Sequence, residues 1–219
     1  MKTNLNSFKT RRAFTLIEIL MVIAIIGIIA GLTIGALKHV NIAKKRAVVS
    51  AMRESLSGAI DSYHAAYGAY PPDNFNLSLA SNSNLFGAIA QTNQLFYELL
   101  SAPYNESAGV YTSYDRGTVG TADLTAVFGV GGVRNSLVGE SKQFYTSPQT
   151  NLFKSYGYPG HPSVMGFIVP VELDPSNPSQ PNWWHYDATT PTRHNKQSYD
   201  LWAVYSQGTF LETNGNWTK

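Results

Sequence analysis

The chain has 219 residues and a formal net charge of +2, which leaves room for one globular domain with an appendage. Nine of its sixteen basic residues lie in the first 53 positions, whereas the rest of the chain carries seven basic and thirteen acidic residues. A nucleic-acid-binding domain needs basic charge on its folded surface, so this acidic remainder argues against nucleic acid as a principal ligand. The chain has no cysteine, so no disulfide can stabilise it.

The chain begins with a polar, basic segment, residues 1–13, which is followed by an apolar run. From Phe14 to Leu37, twenty-four residues carry a single charge, that of Glu18. As a helix this run is about 36 Å long, enough to cross the hydrocarbon core of a bilayer. The run is too long for the apolar core of a secretory signal, and a plain membrane anchor does not explain Glu18.

The pattern then becomes amphipathic without a break. Apolar residues recur at steps of three or four, as is typical of a helix with one buried face: Val49, Met52, Leu56, Ala59, Tyr63 and Tyr67. All eleven prolines lie at or beyond Pro71. We therefore predict one long helix over residues 14–67, with residues 14–37 in the membrane and the remainder packed against an exported head, residues 68–219.

The head is predicted to contain a second helix, Leu85–Leu100, and several strands. The predicted strands, which are bounded by Gly, Pro, Asn or Asp, are Leu124–Val130, Gly166–Leu173 and Tyr199–Ser206. The stretch Asp174–Pro191 is rich in Pro, Asn, Ser and Thr and is predicted to be a long loop. An antiparallel sheet packed on the apolar stripe of the long helix would give an α+β fold.

Residues 11–20, with the sequence Arg-Arg-Ala-Phe-Thr-Leu-Ile-Glu-Ile-Leu, resemble the N-terminal signal of type IV prepilins and of type II secretion pseudopilins. The resemblance implies a pilin-like fold. It also implies that a membrane-bound prepilin peptidase cleaves between Ala13 and Phe14 and methylates the new amino group of Phe14. The family usually has glycine where this chain has Ala13.

Glu18 is the candidate assembly residue. A carboxylate is costly in a dry helical bundle, and so is the new amine of Phe14; pairing Glu18 with the amine of an adjacent subunit would offset both costs. The alternative is a carboxylate that only reaches out to the lipid headgroups. Gly27, Gly31 and Gly35 form two overlapping small-xxx-small spacings, which allow close helix packing. Proline is usual in the family at the position of Gly35.

Two further stretches are similar to the major pseudopilin of type II secretion. They are Asp61–Asp73, at the predicted end of the long helix, and the closing segment that contains Tyr199–Trp202 and Gly215–Trp217. In the family, aspartates of a C-terminal loop bind calcium.

Here that loop, Ser206–Glu212, offers one carboxylate, with Asp200 more distant. Calcium takes six to eight oxygen ligands, so we expect no cofactor, and calcium stays an open alternative. The five histidines show no metal-ligand spacing, and no nucleophile or acid–base motif is present, so we expect no enzyme. The basic cluster Lys44–Arg46 is expected to be a solvated face near anionic headgroups; the alternative is contact with the acidic heads of neighbouring subunits.

The expected function is a structural subunit of a type II secretion pseudopilus that polymerises through its N-terminal helix. The expected partners are copies of itself, other pilin-like subunits, the prepilin peptidase, an inner-membrane assembly platform and membrane lipid. The expected location is the bacterial inner membrane, crossed once, with a cytoplasmic N-terminus and a periplasmic head.

Two alternatives stay open. One is a type IV pilin, major or minor, used in adhesion, motility or DNA uptake. The other is a membrane-tethered binding domain that does not polymerise, for which Trp183 and Trp184 are the only support. We expect both tryptophans to pack locally instead.

Overall fold

The computed structural model describes residues 14–73, 94–128, 132–137, 140–146, 148–158, 161–177, 179, 181–208 and 210–217, without the side chains of residues 34–38, 156–158 and 161–162. The chain divides into two compact units, Met1–Lys44 and Lys45–Lys219. We refer to the second unit as the head.

The first element, α1, is a helix of 52 residues over Leu16–Tyr67. Its C-terminal end coincides with the predicted one. The N–H of Gly68 donates to the carbonyl of His64 at 2.8 Å, and Gly68 has a φ of 68°, a left-handed conformation that favours glycine and ends the helix. Within α1, Leu16–Thr33 is the candidate membrane span among the described residues, with a mean hydropathy of 2.6 and no burial inside the structure.

The other described elements of the head are short. In chain order they are α2 (Leu95–Leu100), β1 (Tyr104–Asn105), β2 (Val110–Thr112), β3 (Thr118–Gly120), α3 (Thr121–Phe128), α4 (Arg134–Leu137), a 3-10 turn (Thr150–Leu152), β4 (Phe153–Tyr158), β5 (His161–Phe167), β6 (His185–Asp187), β7 (Asp200–Ser206) and β8 (Leu211–Gly215). The strands form three antiparallel sheets, ordered β1-β2-β3, β4-β5 and β6-β7-β8.

The core of the head lies between α1 and the third sheet. The predicted apolar stripe of α1 is buried from Val49 to Tyr63, with Ile60 as a further member. On the central strand β7, alternate residues are fully buried: Leu201, Ala203 and Tyr205. One face of an antiparallel sheet thus covers one face of a helix, which confirms the predicted α+β architecture.

The predicted strand Leu124–Val130 is wrong. Residues Thr121–Phe128 form α3, and the residues Gly129 and Val130 lie outside the described part of the chain. The buried side chains of α3 are Leu124, Val127 and Phe128, at helical steps of three and four. In a run this short, the apolar residues fit both the period of a helix and the period of a strand.

The other predicted elements are partly correct. Strand β7 matches the prediction for Tyr199–Ser206. The strand predicted at Gly166–Leu173 overlaps only the end of β5, which stops at Phe167. Beyond β5, Ile168 forms an isolated bridge with Trp183. Pro170 lacks the N–H that would extend the strand.

The second helix also differs from its prediction. The described helix is α2, Leu95–Leu100, while residues 85–93 lie outside the described residues. The predicted loop Asp174–Pro191 contains strand β6. The composition of this stretch is typical of a loop, so the strand was not predicted.

Candidate assembly site

The first turn of α1 contains a capping box formed by Thr15 and Glu18. The backbone N–H of Glu18 donates to Oγ1 of Thr15 at 3.4 Å, and the backbone N–H of Thr15 donates to Oε2 of Glu18 at 2.8 Å. The Thr15 hydroxyl also donates to that oxygen, at 2.9 Å. The box thereby gives the N–H of Thr15 an acceptor and adds a longer bond to the N–H of Glu18, which also donates to the carbonyl of Thr15 at 3.1 Å. The Thr-x-x-Glu spacing signals this box, and the interpretation of Glu18 as an assembly residue alone missed it.

The capping box fixes the orientation of the Glu18 carboxylate and leaves one of its two oxygens free to accept a further hydrogen bond. Both donors from Thr15 reach Oε2 of Glu18, and no other described residue donates to Oε1. Glu18 and its neighbours are exposed; Phe14, the residue after the predicted cleavage point, is 78% exposed. An amine from another molecule can therefore reach Oε1 without breaking the box.

The glycine spacing farther along α1 leaves room for a neighbouring helix. Apart from its chain neighbours and the backbone of the adjacent turns, a methyl group at Gly27 or Gly31 would meet no described atom within 4 Å. Gly35 lies in the stretch whose side-chain surroundings are not described, and Ala13, on the leader side of the predicted cleavage point, lies outside the described residues.

In the head, two of the three basic residues Lys44–Arg46 pair with carboxylates of the same chain. Nζ of Lys45 lies 3.0 Å from Oε1 of Glu172, and it also donates to the carbonyl of Ser206 at 3.1 Å. Nε of Arg46 lies 2.9 Å from both carboxylate oxygens of Glu212. The sequence pattern suggested a solvated face and gave no sign of these contacts.

A second set of contacts fastens β8 to α1. The Nη1 group of Arg53 donates to Oδ1 of Asn214 at 2.7 Å and to the carbonyl of Gly215 at 2.8 Å. The side-chain amide of Asn214 in turn donates to Oγ of Ser50 at 3.0 Å. The C-terminal hairpin is thus held along the helix by polar contacts as well as by the apolar core.

The carboxylates considered as calcium ligands already have partners. Oδ2 of Asp200 accepts from the backbone N–H of His194 at 2.6 Å, and Oδ1 accepts from the backbone N–H of Asn195 at 2.9 Å. The carboxylate of Glu212 pairs with Arg46. Within the described ranges, no group of three or more His, Asp or Glu side chains is placed to hold a metal ion.

Trp183 and Trp184 are each only 3% exposed, which confirms the prediction that they pack locally. The indole N–H of Trp184 points to the sulfur of Met52 on α1, at 3.3 Å. The two tryptophans are therefore part of the core and do not form a surface patch for a ligand.

Comparison with known protein families identifies a motif in the N-terminal segment. Residues 8–34 match the prokaryotic N-terminal methylation motif. The chain is 28% identical over 97 residues to the type IV major pilin protein PilE of Neisseria gonorrhoeae, which covers 44% of this chain and 58% of that protein. It is also 28% identical over 82 residues to a fimbrial protein of Neisseria meningitidis serogroup A, which covers 37% of this chain and 48% of that protein.

The chain spans about half the length of the curated relatives that it matches. No solved structure is significantly similar to it. The methylation motif includes Phe14 and Glu18, and the candidate membrane span begins two residues after Phe14. With its long N-terminal helix, its antiparallel sheets and these two relatives, the chain resembles type IV pilins, and it carries the prokaryotic N-terminal methylation motif.

Proposed function

We propose that the protein is a structural, non-catalytic subunit of a type II secretion pseudopilus. In this proposal α1 anchors it in the bacterial inner membrane, its head lies in the periplasm, and it polymerises through α1. The observation that carries the proposal is the Glu18 carboxylate, which Thr15 orients at the start of an exposed apolar helix. The choice of the secretion branch rests on the resemblance of residues 61–73 and of the closing segment to the major pseudopilin.

The proposed assembly step is the pairing of two charges. Cleavage after Ala13 by the prepilin peptidase gives Phe14 a free amino group, which methylation leaves positively charged. Removing this amine and Glu18 from water is costly for each, and a charge-assisted hydrogen bond between subunits offsets both costs. Oε1 of Glu18 is the oxygen open to the amine, and the small faces at Gly27 and Gly31 let the helices approach. An inner-membrane platform would supply each new subunit from the lipid.

Replacing Glu18 tests this step. Glu18→Ala removes the partner of the neighbouring amine and leaves that charge buried, at a cost of about 3–5 kcal/mol per interface. A cost of that size lowers each docking equilibrium by more than about a hundredfold. Glu18→Gln keeps the shape but not the charge, so it should be nearly as damaging. Filaments sheared or crosslinked from cells that make only the variant are the readout, with membrane fractions as the insertion control.

Thr15→Ala is the matched control, because it breaks the capping box and leaves the charge in place. Loss of an N-terminal cap costs about 1 kcal/mol, so this variant should weaken assembly much less than the Glu18 variants. Normal filaments from both Glu18 variants would contradict the charge-pair mechanism. An equal defect in Thr15→Ala would assign the role of Glu18 to helix capping alone.

The second candidate function is a type IV pilus subunit, and the two relatives favour it, since their names are those of a major pilin and a fimbrial protein. Deletion of the gene separates the candidates. A pseudopilus subunit is needed for the appearance of secreted proteins in the culture medium, whereas a pilin is needed for filaments that can be sheared from the cell surface. Loss of surface filaments with unchanged secretion would overturn the secretion proposal and favour the pilus.

A further inference from the structure

Two half-buried carboxyl groups meet where the residues after α1 reach the third sheet. Asp73 follows α1, and Asp187 is the last residue of β6. The backbone N–H of Thr189 donates to both groups, to Oδ2 of Asp73 at 3.3 Å and to Oδ1 of Asp187 at 3.1 Å. A hydrogen bond also joins the two side chains, and such a bond requires a proton on one of the two carboxyl groups. We call Asp73 and Asp187 the carboxyl pair.

The carboxyl pair is part of a tertiary contact between the end of α1 and β6. Oδ2 of Asp73 also accepts from the backbone N–H of Ala188 at 3.1 Å and from the hydroxyl of Thr189 at 3.0 Å. Beside these bonds, the hydroxyl of Tyr186 donates to the carbonyl of Pro71 at 2.9 Å. Whatever strengthens or weakens the carboxyl pair therefore acts on the contact that fastens the residues after α1 to the sheet.

No cation neutralises the carboxyl pair in the described part of the chain. None of the ion pairs among the described residues includes either of its members. Arg193 and Lys196, in the loop after β6, donate to backbone carbonyls of that loop, and His194 pairs with Asp200 at 3.0 Å. The other titratable groups on the elements that pack here are Asp61 and His64 of α1 and the tyrosines Tyr63, Tyr70, Tyr186 and Tyr199.

Proton binding therefore decides whether the carboxyl pair attracts or repels. With one proton the two groups share a hydrogen bond, and without it two negative charges face each other. Burial, and to a smaller extent Asp187, raises the pKa of Asp73 to about 6, although hydrogen bonds from Ala188 and Thr189 act to lower it. Burial acts to raise the pKa of Asp187 too, but hydrogen bonds from Thr190, Asp73 and Thr189 bring it below its ordinary value, so the proton lies on Asp73.

We propose that the carboxyl pair is a pH switch, whose shared proton fastens the residues after α1 to β6 in mildly acidic surroundings and whose deprotonation loosens this contact near neutral pH. The pKa of Asp in an unfolded chain is about 3.9, so the folded head holds a proton that the unfolded chain releases. The stability that this proton adds is fully present below about pH 3.9 and is lost as the pH rises through about 6. The proposal does not depend on filament formation or on the choice between secretion and pilus.

The variant Asp73→Asn tests the switch because it imitates the protonated pair at every pH. Its amide oxygen can accept from Ala188 and Thr189, and its amide N–H can donate to Asp187. The full-length protein in detergent micelles is unfolded with urea from pH 7.5 to pH 5, with tryptophan fluorescence as the signal, because all four tryptophans lie in the head. On acidification over this range, the unfolding equilibrium constant of the wild type should fall about tenfold relative to that of Asp73→Asn. Glu54→Gln, at an exposed position of α1, is the control and should follow the wild type.

Carbon-13 NMR of the aspartate carboxyl groups in the same micelles shows whether the two groups are coupled. The signal that Asp73→Asn removes should titrate near pH 6 in the wild type. Asp187→Asn should lower that midpoint, because it replaces a negative neighbour of Asp73 by an amide that can donate a hydrogen bond.

Three outcomes would overturn the proposal. The first is a pH dependence of stability that is the same in the wild type and in Asp73→Asn. The second is a midpoint of Asp73 that Asp187→Asn leaves unchanged, since the carboxyl groups would then not share a proton. The third is a midpoint of Asp73 below about pH 4.5 in the wild type, which needs no variant and decides the matter even where a substitution prevents folding.

Discussion

The hydroxyl group of Tyr63 in α1 donates a 3.0 Å hydrogen bond to Oε2 of Glu98 in α2, and both side chains are fully buried. The Glu98 carboxylate accepts three further bonds, from the side-chain amide of Gln94 at 2.8 Å and from the backbone N–H groups of Arg134 at 2.7 Å and Asn135 at 2.9 Å. One carboxylate therefore ties the C-terminal half of α1, α2 and α4 together. Burial raises the pKa of Glu98, and the four donors act against that shift.

Replacing Glu98 should strongly destabilise the head. Glu98→Ala leaves the backbone N–H groups of Arg134 and Asn135 without this acceptor, and we expect a loss of about 3 kcal/mol or more in the free energy of unfolding. Tyr63→Phe removes one of four donors and should cost about 1 kcal/mol. Urea denaturation measures both values. Glu54→Ala, at an exposed position of α1, is the control, and a Glu98→Ala protein as stable as this control would contradict the role of the carboxylate.

A buried histidine should make the stability depend on pH. His185 is 8% exposed and stacks on Trp202, with the ring centres 5.1 Å apart. Burial lowers the pKa of His185 from 6.5 to about 4. Between these two values the unfolded chain binds a proton that the folded chain excludes. The contribution of neutral His185 to the free energy of unfolding is therefore fully present above pH 6.5 and is lost as the pH falls toward 4. The loss is at most about 3 kcal/mol.

Melting temperatures of the wild type and of His185→Phe, measured from pH 7 to pH 4, test this expectation. Phe keeps an aromatic ring against Trp202 but does not titrate, so the variant should lose less stability than the wild type on acidification. The wild type has to be compared with the variant because Asp73 changes the stability in the opposite direction on acidification. Burial raises the pKa of Asp73 to about 6, so its contribution to stability is gained as the pH falls. His39→Gln, at an exposed position of α1, is the control. Parallel curves for the wild type and His185→Phe would show that His185 does not titrate as expected.

The head should fold without the membrane span. Residues 45–219 form a compact unit, so a fragment that begins near Lys38 is expected to be soluble and monomeric and to melt cooperatively. Calcium should change its melting temperature little, because Glu212 and Asp200 already have protein partners. Circular dichroism with and without calcium measures both properties. An aggregated fragment would contradict the division of the chain, and a large rise in melting temperature would reveal a calcium site.

Processing should occur between Ala13 and Phe14. The residues before this bond are polar and basic, and the apolar run begins with Phe14. Mass spectrometry of the membrane-extracted protein should find a methylated Phe14 at the N-terminus. Ala13→Gly, which restores the usual residue of the family, should be processed at least as completely. An N-terminus at Met1 or beyond Leu37 would contradict the prepilin interpretation.

The sequence by itself determined the long helix and its candidate membrane span. These features depend on local patterns: an apolar run of sufficient length, a stripe with the helical period, and Gly68 at the end. The capping box of Thr15 and Glu18 is local too, since its two residues are three positions apart, and its spacing is readable without a structure. Local patterns fix such features because both partners of each interaction lie within one or two turns of helix.

Only the tertiary structure decided how the head is built. Arg46 and Glu212 are 166 positions apart, and no local pattern indicates that they meet. The same holds for the burial of Trp184 against Met52 and for the carboxylate of Glu98, whose donors come from three elements. The segment Leu124–Phe128 was assigned to the wrong element because a short apolar run fits both periods. In each case the outcome depends on which distant surfaces cover the side chain, and that is set by the packing of the whole head.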